Sequence, residues 1–153
     1  MIRQRKPLQR RTPIAQKTPL KSSGPVKPRK RPTVTPEERD ARKLVQRRSL
    51  VGDVRMCEMA IPGVCLGRAT NYAHRVNASQ GGKWEASTAL DSCGSGTTGC
   101  HGYCHANPAN AYENGWLVRS WDDPLTRPVL RRGQWVVLDN AGSWTPSLDL
   151  GAA

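Results

Sequence analysis

The chain contains no run approaching 18 apolar residues, so no stretch of it reads as a bilayer-crossing helix. Its first residues are equally poor in apolar side chains: basic, proline-rich sequence stands where a signal peptide would need a hydrophobic segment. Acidic residues are absent from positions 1–34, although the chain carries 12 in all. The expectation from these absences is a soluble protein of a reducing cytoplasm with no membrane partner. Five cysteines, an odd number, are then expected to serve as metal ligands or buried thiols rather than as a disulfide framework.

At 153 residues the chain has room for one domain of ordinary size and a tail. Its formal charge of +12 is unevenly spread, because 16 of the 24 Lys and Arg fall within residues 1–50. The remainder is nearly neutral, with 8 basic and 9 acidic side chains in residues 51–153. The pull on a polyanion is therefore concentrated at the N-terminal end. Pro7, Pro13, Pro19, Pro25, Pro28 and Pro32 interrupt residues 1–34 too often for a helix or ladder to persist. A loose repeat, Arg11-Thr12-Pro13-Ile14 and Lys17-Thr18-Pro19-Leu20, runs through it. This disordered leader is either simply solvated or a non-specific phosphate-binding arm.

Thr35-Pro36-Glu37-Glu38 marks a helix start, with Thr35 as N-cap, Pro36 in the first turn and Glu38 closing a capping box. The helix is predicted over residues 35–50. Its Arg39, Arg42, Lys43, Arg47 and Arg48 form either a solvated face or a phosphate-facing stripe, and with Lys83 they are the DNA-binding candidates. All five Cys and all three His lie between residues 57 and 105, so the chemistry is expected there. Beyond that window a short helix from Asn107-Pro108 should stop at Gly115. Trp116-Leu117-Val118 reads as a strand, and residues 128–130 and 134–138 as a hairpin turning at Arg132-Gly133. Trp116, Trp121 and Trp135 are read as core or edge packing rather than base-stacking platforms.

Cys57 and Cys65 flank the turn sequence Ile61-Pro62-Gly63, and Cys93 and Cys100 flank Gly94-Ser95-Gly96-Thr97-Thr98-Gly99. Two such pairs can close a tetrahedral four-thiolate zinc site, with spacings wider than the usual two to four residues. Cys104 is left over as a small core side chain. His101 and His105 are four apart, so one helical turn places both imidazoles on one face, where they can hold a divalent metal. His74 lies in the strand-like Asn71-Tyr72-Ala73-His74-Arg75-Val76, ahead of a glycine-containing loop. Strand, loop and metal-bearing helix make the ββα-metal layout. A histidine suits water activation near neutrality, and a divalent ion can stabilise charge at the leaving oxygen of a phosphodiester.

From the helix near Arg47 to about Leu138 the chain resembles actinobacteriophage HNH endonucleases. The resemblance is carried by Cys57-Glu58, Ala73-His74-Arg75, Ser79-Gln80-Gly81-Gly82, the Cys93-to-Gly102 block and Gly115-Trp116, over about 90 residues. It implies that His74 is the general base, that His101 is the final histidine and a catalytic-metal ligand with His105 as a second ligand, and that Cys57, Cys65, Cys93 and Cys100 bind structural Zn²⁺. It also implies Mg²⁺ or Mn²⁺ as the catalytic ion, and Arg75 beside the scissile phosphate, against the alternative of an exposed strand arginine. Two positions depart from the pattern. Ala73 stands where many members have a metal-binding Asp or His, and Thr88 stands where an Asn orients the base or its loop.

The expected architecture is an α+β, ββα-metal domain built on a four-cysteine zinc site, with a leader over 1–34, a basic helix over 35–50, a nuclease core over 51–115, C-terminal β support over 116–140 and a flexible tail over 141–153. The expected function is metal-dependent DNA hydrolysis in the cytoplasm of a phage-infected bacterial host, as monomer or dimer. The alternative is a zinc-ribbon DNA-binding or phage packaging-associated protein without turnover, which Ala73 and Thr88 favour. A cysteine-dependent enzyme using Cys104 lacks a legible orienting partner.

Overall fold

Thr35 starts helix α1 (Pro36–Ser49): its hydroxyl accepts a hydrogen bond from the Glu38 backbone N–H at 3.2 Å, and Pro36 needs no donor partner in the first turn. The other half of the expected capping box is replaced. The Glu38 carboxylate accepts from Arg42 Nε at 2.9 Å instead, because a guanidinium one turn away competes for it. In this computed structural model residues 33–77 and 81–147 are described. Residues 1–32 of the expected leader, the Ser79-Gln80 part of the loop and residues 148–153 of the expected tail lie outside the described residues.

Ala41, Val45 and Arg48 recur at i, i+4 and i+7, and this face of α1 is buried. Val45 packs with Ala86 and Ala89 in a small apolar cluster. The chain leaves α1 through a two-stranded ribbon, β1 (Leu50–Val51) against β2 (Val54–Arg55), turning through Gly52 at φ +60.

Strand β3 (Asn71–His74) pairs antiparallel with β4 (Ala89–Ser92), Asn71 opposite Ser92 and His74 opposite Ala89. Helix α2 (Gly99–Ala106) follows directly, and α3 (Pro108–Glu113) follows it across Asn107. No strand is predicted from the sequence at β4. It is short, wholly buried and carries Asp91, whose carboxylate is masked by Arg55 at 2.7 and 2.8 Å and by the Ser49 hydroxyl at 2.6 Å. A buried carboxylate with such partners has no period-two polar signature to read.

The predicted C-terminal hairpin is present as β5 (Val129–Arg131) and β6 (Gln134–Leu138), with both turn residues at positive φ, Arg132 at +49 and Gly133 at +80. Two expectations are corrected by the structure. Residues 116–118 form no strand, because their N–H groups serve tertiary contacts: Leu117 donates to the Ala111 carbonyl and Val118 to that of Arg75. Residues 141–153 are not all tail: β7 (Trp144–Pro146) pairs with β6 as a third strand, and its uniformly exposed side chains gave no alternation to detect.

The fold is thus α+β, with three short helices and three small sheets among the described residues. The main core joins Cys57, Met59, Leu90, Cys93, Cys100 and Cys104 to Trp116, Val129, Val136 and Leu138. Trp116 is anchored by Nε1 donating to the Leu130 carbonyl at 2.7 Å, but Trp121 is 76 % exposed, against the packing expected of it. The Arg119 guanidinium lies over its ring, 5.4 Å from the centre. No described helix is long and apolar enough to cross a membrane.

Candidate metal centre and active site

Two loops bring the four cysteines together. The first runs from Cys57 to Cys65, where the Cys65 N–H bonds back to the Ile61 carbonyl at 2.9 Å. The second leaves β4 at Cys93 and enters α2 at Cys100. Gly94, at φ +86, has the Thr98 carbonyl where a Cβ would sit, so this loop closes only around glycine. All four sulfurs lie within 4.8 Å of one another, and the group is placed to hold a metal ion. Backbone N–H groups are aimed at the sulfurs: Leu66 and Cys100 at Cys93, Gly67 at Cys65, and Cys93 at Cys57, at 3.2–3.4 Å. Such donors favour thiolates.

The thiols do not ionise alike. The Cys57 thiol is pushed down to about 5, chiefly by a hydrogen bond from Cys100 and against the effect of burial. Cys65 is pushed up by burial, and Cys100 is pushed up by that same bond and by burial. Four thiolates at this spacing repel one another, so a bound cation is what would let all four ionise together. Cys104 stays apart as expected: it is buried, its sulfur lies 3.6 Å from that of Met59, and burial raises its thiol to about 12.

Beside this cluster a cleft of about 250 Å³ gathers all three histidines, with Ala73, Asn77, Met59, Cys104 and Tyr112 among its other walls. His101 follows Cys100 directly, so the cysteine fixes where that ring begins. His101 and His105 occupy one face of α2, as the spacing of four predicts, with their Nε2 atoms 3.1 Å apart. His74 enters from the end of β3. Its Nδ1 is buried without a hydrogen-bond partner, as is that of His101. Burial lowers the pKa of His74, Arg42 adds to the effect, and Glu38 opposes it. Burial likewise lowers His101, followed by the charges of His105 and His74.

Ala73, one of the two departures noted in the sequence, presents a buried methyl to the cleft and offers no ligand atom. Asn77 also lines the cleft and is not among the residues the sequence singles out. Three positions beyond His74 and past the end of the strand, it follows no period that would flag it.

Two arginines assigned to the chemistry or to DNA are interior. Arg75 is fully buried, neither beside the cleft nor exposed on its strand. Its guanidinium donates to the carbonyls of Gly115, Ser87, Pro124 and Arg127 at 2.9–3.2 Å, and burial lowers it to about 9. Arg48 is buried at the end of α1, bidentate to Glu58 at 2.8 and 2.9 Å, so it is not part of a DNA-facing stripe. Arg131 completes the group with a bond to Glu58 at 2.8 Å. Burial by itself would raise Glu58, but the two guanidiniums hold its carboxyl below the usual carboxylate range. The sequence carries no local signal of this network, because Glu58 meets its two guanidiniums from residues 10 and 73 positions away.

Of the remaining DNA-binding candidates, Arg39, Lys43, Arg47 and Lys83 are exposed and Arg42 half-buried. Thr88 does not line the histidine cleft. Its hydroxyl is shared between the Lys83 and Glu85 carbonyls at 2.8 and 2.9 Å, so it shapes the loop that carries Trp84. Comparison with protein-family models, curated proteins and solved structures gave no match to this chain.

Proposed function

We propose that this protein is a metal-dependent DNA endonuclease of the HNH, ββα-metal type, with a structural zinc at Cys57, Cys65, Cys93 and Cys100. The observation that carries the reading is the cleft in which a half-buried strand histidine, His74, shares one cavity with a helical histidine pair. The order of elements supports it: two antiparallel strands, then a helix bearing His101 and His105, with the four-cysteine cluster at the root of that helix.

The donor sets fit the ions proposed for them. A tetrahedron of Zn–S bonds about 2.3 Å long has edges of about 3.8 Å, and the Cys65 and Cys93 sulfurs are already 3.9 Å apart. The four cysteines would hold Zn²⁺ from both loops and so tie them together. Two imidazole nitrogens bonded to one ion at about 2.1 Å stand roughly 3.0 to 3.4 Å apart, and His101 and His105 stand 3.1 Å apart at Nε2. A divalent ion at that pair would supply Lewis-acid stabilisation of charge on the phosphate oxygens. An imidazole pair without a carboxylate suits a first-row transition ion better than Mg²⁺, which ranks Mn²⁺ ahead of Mg²⁺ here.

The chain's own part is proton transfer and positioning. Neutral His74, its Nδ1 buried, accepts a proton from water at Nε2 as the water oxygen attacks phosphorus. The P–O bond opposite the attack breaks, and solvent protonates the departing oxygen. The exposed cations of α1 hold neighbouring phosphates. The phage-host cytoplasm follows from the resemblance alone, as does a link to phage packaging machinery.

Ala73 is the observation that favours the second reading, a zinc-stabilised DNA-binding protein without turnover, because its methyl contributes no ligand to the cleft. Supercoiled plasmid incubated with Mn²⁺, Mg²⁺ or EDTA separates the two. Metal-dependent nicking by the wild type, abolished by EDTA and by His74→Ala in protein with unchanged zinc content, is the expected result. DNA binding with no cutting in any metal would leave the second reading standing.

A further inference from the structure

Four side chains from three segments meet beside the histidine cleft. The His74 ring centre lies 5.0 Å from that of Tyr72, at an interplanar angle of 77°, and 4.8 Å from that of Trp84, at 63°. Tyr72 and Trp84 are 5.4 Å apart. On the same two rings rests the Arg42 guanidinium, 5.0 Å from the Tyr72 centre and 5.2 Å from the Trp84 centre. Tyr72 and His74 are two apart on β3 and therefore share a face of the strand.

Trp84 is held in place from both sides. The Tyr72 hydroxyl donates to the Glu85 carbonyl at 3.1 Å, and Thr88 donates to the carbonyls of Lys83 and Glu85. His74, by contrast, has no hydrogen bond to orient it among the described residues. A general base usually has its ring fixed by a hydrogen bond to its second nitrogen. Here edge-to-face packing against two rings takes the place of that bond. Arg42 is fixed as well: Glu38 takes its Nε, which leaves both terminal nitrogens without a protein partner among the described residues, on a side chain 39 % exposed.

We propose that Tyr72 and Trp84 are positioning residues, an aromatic bracket that holds the His74 ring ready to accept a proton and presents Arg42 to the phosphate under attack. The inference rests on the nuclease reading. It gives Thr88 a task, that of setting the loop that carries Trp84. It also assigns Arg42 a place apart from the exposed cations of α1, because its guanidinium is prearranged against two ring faces.

The test uses full-length, zinc-loaded protein and the variants Trp84→Ala, Trp84→Phe and Arg42→Gln. Cleavage of a DNA duplex with Mn²⁺ is measured as kcat and KM, and the histidine ring C–H signals are followed by NMR. Trp84→Ala should lower kcat roughly ten- to a hundredfold with little change in KM, as expected for a misplaced base. The His74 signals, shifted by the neighbouring ring currents, should return toward ordinary positions while zinc content holds. Trp84→Phe should restore most of kcat. Arg42→Gln should raise KM and reduce the salt slope of DNA binding by about one.

Unchanged kcat or unmoved His74 signals in a folded Trp84→Ala variant would overturn the bracket. A Trp84→Phe variant no better than alanine would do the same. Should Trp84→Ala fail to fold, Tyr72→Leu makes the comparison from the other wall of the bracket. Wild-type protein that cuts no DNA in any metal defeats the nuclease reading instead, an outcome distinct from a wild type and a Trp84→Ala variant that cut equally well.

Discussion

In the proposed reaction His74 is the group that must be neutral. Burial and the Arg42 charge both disfavour the imidazolium, so its pKa falls below the ordinary 6.5. A base must be unprotonated to accept a proton, so the sign is fixed: activity is lost as pH falls and present as pH rises. The nicking rate measured from pH 5 to 8 should climb through a midpoint below 6.5 and lie flat around neutrality; a midpoint above 7 would rule out His74 as the group reported. The histidines were legible as candidates because their chemistry is intrinsic to the residue, and the structure gathers all three in one cleft. Arg48 and Arg75 were not legible, since a guanidinium in a sequence does not say whether it meets water or carbonyl groups. Arg75 finds four carbonyls from residues 12 to 52 positions away, and no local pattern encodes that.

Helix α1 divides its charge between a buried end and an exposed face. Its last buried turn joins Arg48 to Glu58 and Arg131, which links α1, the first cysteine loop and the C-terminal hairpin. Removing one member of a buried ionic group leaves the others without compensation and costs about 3 to 5 kcal/mol. Glu58→Gln should therefore show a loss of that size in denaturant unfolding of zinc-loaded protein, and a loss under 1 kcal/mol would refute the account. The folded carboxyl lies below its ordinary 4.5, so this contribution is present above that value and disappears as pH falls through the lower, folded one. The exposed face of α1 behaves differently. Replacing Arg39, Lys43 and Arg47 together with Gln should leave unfolding unchanged and flatten the salt dependence of DNA affinity, by about 0.9 in log–log slope for each phosphate no longer neutralised. Unaltered slope in that triple variant would remove α1 from the DNA-binding surface. The start of α1, the turn at Arg132-Gly133 and the two-histidine face of α2 were all readable, because each is set by residues within four positions of one another.

Over the whole molecule, the cysteine cluster stands where otherwise separate pieces converge. Cys57, Cys93 and Cys100 are core residues alongside Leu90, Trp116 and Leu138, so the metal site and the apolar core are one body. A four-thiolate zinc is worth roughly 10 to 16 kcal/mol of apparent binding free energy, as large as the whole net stability of about 5 to 15 kcal/mol of an ordinary domain. Metal analysis should give one zinc per chain, and stripping it with a strong chelator should unfold the domain, as followed by circular dichroism. Cys104→Ala should keep its zinc, whereas serine at any of the four ligands should not. A folded, zinc-free protein would show the cluster to be only packed thiols.

The sequence by itself determined what acts over short range: the helix cap, the hairpin turn, the turns that close each cysteine pair and the spacing of His101 and His105. Only the tertiary structure decided which charges go inside, that Asn77 and Ala73 wall the cleft, and that Trp84 packs on His74 while Arg42 rests on Trp84. The reason is physical. Backbone conformation answers to neighbours a few residues away, while a buried guanidinium or an unbonded imidazole is set by groups brought together from across the chain, as Arg131 is by the Arg48 carbonyl 83 positions before it.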